Sequence, residues 1–372
     1  RRVSGMGYFD HNAATPALSE VSEHVFANMQ LQIGNPSARQ HPYGREAFHA
    51  LEEAREQISS VLGCSKNSII FTSGATEGIV IAILGYIARR AIGQRRILLW
   101  DAEHSAMLNT AQFAKAHLQA EVGFICSTKS GQIDYEQLKH AAARGVDLIC
   151  VASANNETGV IPNYELILEI ARQHDAHTVC DATQTFGRTY WPFRANGPDF
   201  IVLSGHKFGA MRGIGVLLVD RDLQGQMDSP LRGGEHERGL RGGTSNVAGA
   251  KSFALAMSIV NDQINERMTK LGILENQILN YLRMFSNWMT LNTESEHRLS
   301  NTFNIWIHGV ESEELIALMP GHAIASGSAC SYGSDQPSHV LLSMGLGPMR
   351  AKESIRISLD YTNTVEEIDQ LF

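Results

Sequence analysis

Phe200-Ile201-Val202-Leu203 runs straight into Ser204-Gly205-His206-Lys207, and the chain's fold is read from that junction outward. Apolar residues in unbroken succession, without alternation, describe a strand buried on both faces. A polar turn directly after such a strand lies where ligands bind in an open α/β sheet. The same succession recurs at Ser68-Ile69-Ile70-Phe71, at Leu148-Ile149-Cys150-Val151-Ala152 and at Thr178-Val179-Cys180. Ile97-Leu98-Leu99-Trp100 and Val216-Leu217-Leu218-Val219 add two further apolar runs. Between several of these runs lie helix-length stretches, such as Arg45 to Leu62, with apolar positions three and four apart. The pattern predicts an α/β fold, a mainly parallel central sheet covered by helices on both faces. Beyond about Ser252 a long helical stretch leads to Thr302-Phe303-Asn304-Ile305-Trp306-Ile307 and Ile355-Arg356-Ile357-Ser358, which alternate like a half-exposed sheet. The expected division is a large domain over 16–252 and a smaller α+β domain formed by 1–15 and 253–372.

At 372 residues, with 43% apolar and 19% charged residues, the chain can bury a sizeable core. Its net charge of −8 argues against direct, stable binding of nucleic acid through phosphate contacts. No apolar run reaches the length of a membrane span and the start lacks the apolar core of a signal peptide, so the expected location is the cytoplasm.

Five cysteines stand at 64, 126, 150, 180 and 330, with no C-x-x-C pair. That spacing suits neither a disulfide framework nor a zinc site, and no metal is expected. Cys64, Cys126, Cys150 and Cys180 read as small buried hydrophobes. Cys330 differs, because it lies in a loop of small and turn-forming residues, 326–338.

Four polar clusters follow strands. Thr72-Ser73-Gly74-Ala75-Thr76-Glu77 precedes a helix, where backbone N–H groups and the helix's positive end can hold a phosphate; a plain helix cap is the alternative. Asp181-Ala182-Thr183-Gln184 offers a carboxylate for a protonated ring nitrogen and an amide for a phenolic oxygen, or equally an N-cap aspartate. In Ser204-Gly205-His206-Lys207 the lysine can form an imine with an aldehyde once desolvation lowers its pKa. Ala154-Asn155-Asn156-Glu157-Thr158-Gly159 makes a further polar turn. Phosphate donors, a ring-nitrogen partner and an amine together are what pyridoxal 5′-phosphate requires of a protein.

YFDHNAATP at 8–16, GNPSARQHPYG at 34–44, FTSGATE at 71–77, EH at 103–104, NNETGV at 155–160, DATQ at 181–184, SGHK at 204–207, RGGEHERGLRGGT at 232–244, SGSAC at 326–330 and SIRISL at 354–359 stand in order along the chain. With these the sequence resembles the NifS/IscS-like cysteine desulfurases, pyridoxal-phosphate enzymes of fold-type I. The resemblance implies that Lys207 holds the cofactor and shuttles the substrate's Cα proton. It implies that Asp181 pairs with the ring nitrogen, that Gln184 and Asn156 contact its oxygen side, and that His104 stacks on the ring and serves in proton transfer. Ala75, Thr76, Ser204 and His206 would bind the phosphate, with Thr244 reaching it from the second subunit of a homodimer. Arg356 and Asn35 would hold the carboxylate of L-cysteine. Cys330 would be the nucleophile that becomes a persulfide and passes sulfur to an acceptor protein. Taken alone, His104 could equally be a satisfied polar histidine and Arg356 a strand-edge charge. A selenocysteine lyase or an aminotransferase on the same fold is the rival reading, although an aminotransferase has no use for Cys330.

The sequence departs from the family where Phe208-Gly209-Ala210-Met211-Arg212 follows Lys207, and where Ser331-Tyr332-Gly333 follows Cys330. The destination of the sulfur stays open among iron–sulfur assembly, tRNA thiolation and DNA phosphorothioation.

Overall fold

A computed structural model describes residues 7–31, 34–193, 197–293, 297–326 and 336–372. Its centre is a seven-stranded sheet in the order Ile69–Thr72, Gly215–Val219, Phe200–Ser204, His177–Asp181, Leu148–Cys150, Arg96–Trp100, Glu121–Ile125. All neighbours are parallel except Gly215–Val219, which runs against both of its own. The six like-oriented strands therefore end along one edge, and the four polar turns named above collect there.

The apolar runs are continuous because each strand serves two cores, alternate side chains pointing to opposite faces. Ile69, Phe71, Leu98, Trp100, Ile149, Cys180, Ile201, Leu203, Val216 and Leu218 enter one core. Their neighbours Ile70, Ile97, Leu99, Leu148, Cys150, Val179, Phe200, Val202, Leu217 and Val219 enter the other. Strand contact at the edge is tight: a Cβ on Gly215 would lie 2.6 Å from the Gly74 Cα and 2.7 Å from the Leu203 carbonyl oxygen. Only a residue without a side chain lets the polar turn 73–74 lie beside that strand.

The expected helix at 45–62 spans Pro42–Leu62, begun by a proline in its first turn and capped by His41, whose Nδ1 accepts the Gly44 N–H at 3.1 Å. Gly63, at φ +66°, ends it. The second sheet pairs Ala325–Ser326, Ser354–Ser358, Thr302–Ile307 and Met289–Leu291 in that order, all antiparallel. It has its own core, in which Phe303, Ile305, Ile355 and Ile357 meet Leu271, Leu274 and Ile278 of helix Ile264–Met284. The expected boundary at 252/253 falls inside helix Val247–Asp262, whose Phe253, Met257 and Val260 belong to the first core of the large sheet.

Cys150 and Cys180 are buried as expected, but Cys64 is only half-buried and Cys126 is exposed. It follows the edge strand Glu121–Ile125, which is covered on one side only, and so it escapes the burial that apolar neighbours suggested. Cys330 lies outside the described residues.

One segment is bent against its own preferences. Glu237 and Arg238 sit at φ +45° and +59°, the left-handed region that disfavours side chains. They are held there by contacts: both Glu237 carboxylate oxygens meet the buried Arg55 guanidinium at 3.0 Å, one also accepts the Phe71 N–H at 2.9 Å, and Arg238 donates to the Ile69 carbonyl. Glu237→Ala would leave Arg55 with Glu52, 3.1 Å from its Nε, as its remaining carboxylate, and would leave the Phe71 N–H without an acceptor, and we expect it to cost about 1–3 kcal/mol. A denaturant midpoint unchanged from the parent's would show that Glu52 alone is enough for Arg55.

Candidate active site

At the C-terminal edge of the large sheet lies a cavity of about 640 Å³. Of the residues expected to contact the cofactor, Ala75, Thr76, His104, Asn156, Asp181, Gln184, Ser204, His206 and Lys207 all line it. Thr244 is exposed and does not line the cavity of its own chain. Asn35 is exposed too, its side chain accepting the Ser37 N–H at 2.9 Å.

The serine and threonine of the first turn do not cap the helix. Helix Ala75–Ala88 has Gly74 as its N-cap, and no side chain accepts from its first N–H groups. Those donors, with the helix's positive end, face the cavity. Beside them the Ser204 hydroxyl and the His206 Nδ1 lie 3.0 Å apart. Burial, with Lys207, Arg212 and Arg188 adding to it, pushes the His206 imidazole down to about 4, so it is neutral at pH 7.

That shift has a sign. The unfolded imidazole takes up a proton near 6.5 and the folded one only near 4, so between them the unfolded chain holds more protons and stability falls as the pH drops. The ligand-free protein should therefore unfold at a lower temperature at about pH 5 than at about pH 7, and His206→Gln should narrow the difference. An unchanged difference would assign the proton uptake to another group.

Asp181, on the last position of its strand, is buried, and its Oδ1 accepts the Thr183 N–H at 2.9 Å. This is a local turn rather than a helix cap, since among the described residues no helix follows before the next strand. The adjacent Thr183 hydroxyl is buried on the cavity wall with no hydrogen-bond partner among the described residues. Lys207 points to the opposite wall, where its Nζ donates to the carbonyls of Asn12 at 2.6 Å and Ala13 at 3.0 Å. Gln184 joins the same network, its Nε2 donating to the Asn12 carbonyl at 3.1 Å.

His104 caps helix Ser105–Leu118, its Nδ1 accepting the Ala106 N–H at 3.1 Å. The neutral ring therefore carries its proton on Nε2. Burial pushes its pKa down; the Asp181 carboxylate opposes this, and Lys207 and His339 reinforce it. Its neighbour Glu103 is fully buried, one oxygen accepting the Ala152 N–H at 2.6 Å, and burial raises its carboxyl well above the usual range. Asn155 shapes the fourth turn, its Oδ1 accepting the Glu157 and Thr158 N–H groups at 2.9 Å each.

Arg356 is buried and does not line the cavity. Its Nη2 is 2.7 Å from the Asp10 carboxylate and its Nη1 donates to the Asn156 carbonyl at 3.1 Å, while its Nε has no partner among the described residues. Expected to sit at a strand edge if structural, it lies instead in the middle of the second sheet, between Asn304 and Ala325.

Sequence reasoning missed three contributors. The Asn12 carbonyl has no side-chain signal at all. Arg212, exposed on the cavity rim, reads in sequence as an ordinary surface arginine, although its place just before an apolar strand was a usable signal. Arg188 reads as one more polar residue in a turn. Altogether Lys207, Arg212 and the uncapped helix end outweigh Asp181, because the other acid on the wall, Glu77, is paired with Arg241 at 2.8 Å. The cavity is built for an anion.

Residues 7–371 match the model of the aminotransferase class-V family. The chain is 36% identical over 372 residues to a cysteine desulfurase of Frankia sp. (strain EuIK1), covering 98% of this chain and 88% of that protein. Among solved structures it is similar to a NifS-like protein with a TM-score of 0.91 at 29% identity, covering 98% and 96% of the two chains. It is also similar to SspA, solved in complex with cysteine, with a TM-score of 0.83 at 29% identity, covering 96% and 100%.

Proposed function

Because the chain belongs to the class-V aminotransferase family, among its NifS/IscS-like cysteine desulfurases, we propose the following assignment of its cavity and residues. The protein is a cysteine desulfurase. Its cofactor is pyridoxal 5′-phosphate, and the observation that carries this reading is one cavity lined by an amine, a buried carboxylate and an uncapped helix N-terminus. The orphaned Thr183 hydroxyl in the same wall awaits a polar ligand group.

Bound there, pyridoxal phosphate supplies an electron sink for negative charge developing at the substrate's Cα. Gly74–Thr76, Ser204 and a neutral His206 bind the phosphate, and Thr244 of a second copy completes the site in a homodimer. Asp181 holds a proton on the ring nitrogen. Gln184 and Asn156 bind the oxygen side. Lys207, whose Nζ rests on the Asn12 and Ala13 carbonyls, would hold the cofactor through its amine and would take the proton from the substrate's Cα. His104, protonated on Nε2 and uncharged, would lie against the cofactor's ring and would move protons at the substrate. Arg356, once it exchanges its Asp10 or Asn156 partner, would bind with Asn35 the carboxylate of L-cysteine, which SspA was solved in complex with.

The Cys330 thiolate attacks the substrate's sulfur. A sulfur–sulfur bond forms as the carbon–sulfur bond breaks, and the electron pair of the broken bond stays with the substrate carbon. Protonation of that carbon yields alanine, and the persulfide left on Cys330 goes to an acceptor protein. No outside oxidant or reductant is consumed until the sulfur is released. Incubated with L-cysteine and a thiol reductant, the purified protein should form alanine and sulfide in equal amounts with no keto acid added. Alanine formation that requires a keto acid would instead make it an aminotransferase.

A further inference from the structure

Arg188 is a buried guanidinium that the mechanism above does not use. Its Nη2 donates to the His11 carbonyl at 2.7 Å and its Nη1 donates to the Gln184 Oε1. Among the described residues no carboxylate lies within ion-pair distance of it; the nearest influences are Asp360, which favours its charge, and Arg356, which opposes it. A buried cation is ordinarily paired, and one without an anion is costly. Burial pushes Arg188 down to about 10, which still leaves it charged at neutral pH.

The Gln184 amide can face only one way. Turned over, its NH₂ would oppose the Arg188 donor and its oxygen would oppose the Asn12 carbonyl. With the oxygen turned to Arg188, the amide is oriented with its NH₂ toward Asn12 and the cavity. One Nε2 hydrogen goes to Asn12, and the second has no acceptor among the described residues, while Gln184 lines the cavity. The amide thus transmits the charge behind it: polarised by a guanidinium on its oxygen, it becomes a stronger donor on its nitrogen.

We propose that Arg188 is a positioning residue that locks Gln184 as a donor and, as an otherwise uncompensated cation, makes the cavity select a cofactor whose ring oxygen is an anion. This rests on the cofactor reading given above. The other charged or titratable groups around that side of the cavity are Asp181, His104, Lys207, His206, Arg212, Arg356 and Asp360. Among the described residues only Arg188 reaches the Gln184 oxygen.

The test uses the full chain freed of cofactor and measures binding of pyridoxal phosphate and of its 3-O-methyl ether, whose ring oxygen cannot ionise. The parent should prefer the natural cofactor by about tenfold or more, the range of a hydrogen bond to a charged group. Arg188→Met should lower that preference by about tenfold, and Arg188→Lys should keep most of it, because it keeps the charge. Should the methionine variant not fold, Arg188→Gln removes the charge while keeping an amide donor, and the same loss is expected. Equal weakening of both ligands, with the preference intact, would overturn the proposal and leave Arg188 as structural support. A parent that binds both ligands without preference would overturn it as well. A parent that binds neither would overturn the cofactor reading itself.

Discussion

Lys207→Ala is expected to lower alanine formation from L-cysteine by at least about 10³-fold while leaving the fold in place. One amine is asked both to join the cofactor and to move the Cα proton, and a positioned proton-transfer group alone is worth about 10²–10⁴-fold. The fold should survive because Lys207 is half-buried and its named bonds run to two backbone carbonyls that water can satisfy. Cofactor should still bind more weakly through the helix end, Ser204 and His206. Lys207→Arg should be as inactive, since its charge is kept but its nucleophilicity is lost. Alanine appearing at the parent's rate in either variant would end the assignment.

Cys330→Ser is expected to stop sulfur transfer altogether and to leave cofactor and cysteine bound. A serine hydroxyl stays protonated near neutral pH and is a poor nucleophile toward sulfur, whereas a thiolate is a good one. The other cysteines cannot take over easily. Cys150 and Cys180 are buried, which pushes their thiols well up, and burial raises Cys64 to about 11. Cys126 is exposed, so Cys126→Ser is the informative control and should leave persulfide formation intact. Mass spectrometry after brief exposure to L-cysteine should find an added sulfur on the peptide holding residue 330 in the parent and nowhere in the variant. Sulfur on Cys126, or normal turnover in Cys330→Ser, would overturn the mechanism.

Most of the large sheet was legible because buried strands write themselves as unbroken apolar runs. Glu121–Ile125 was not, since an edge strand exposed at Glu121 and at Phe124, on opposite faces, mixes polar, glycine and apolar residues into a run with no clear period. The misplacing of Cys126 has the same origin. Met289–Leu291 is too short, and too exposed, to stand out from the helix before it. In the cavity, the residues that follow strands could be named in advance because the sheet's direction fixes where such turns go. What stayed hidden were contacts between distant segments. Neither the Asp10 partner of Arg356 nor the Asn12 carbonyl beneath Lys207 follows from any local pattern, as each pair is separated by most of the chain. Arg188 becomes meaningful only once the lack of a carboxylate around it can be seen.

The lone antiparallel strand also dictates a timetable for synthesis. Ile69–Thr72 has Gly215–Val219 as its single strand neighbour among the described residues, so its apolar ribbon leaves the ribosome about 150 residues ahead of its mate. At the usual pace of translation the delay is roughly 7–30 s, far longer than any hairpin needs. Throughout that interval Ile69-Ile70-Phe71 is an unpaired, sticky segment of the nascent chain, a natural client for a ribosome-bound chaperone. The turn proposed to receive phosphate hangs from the end of this strand, so on that reading the newborn protein would not take up a cofactor until the second half of the sheet has been made.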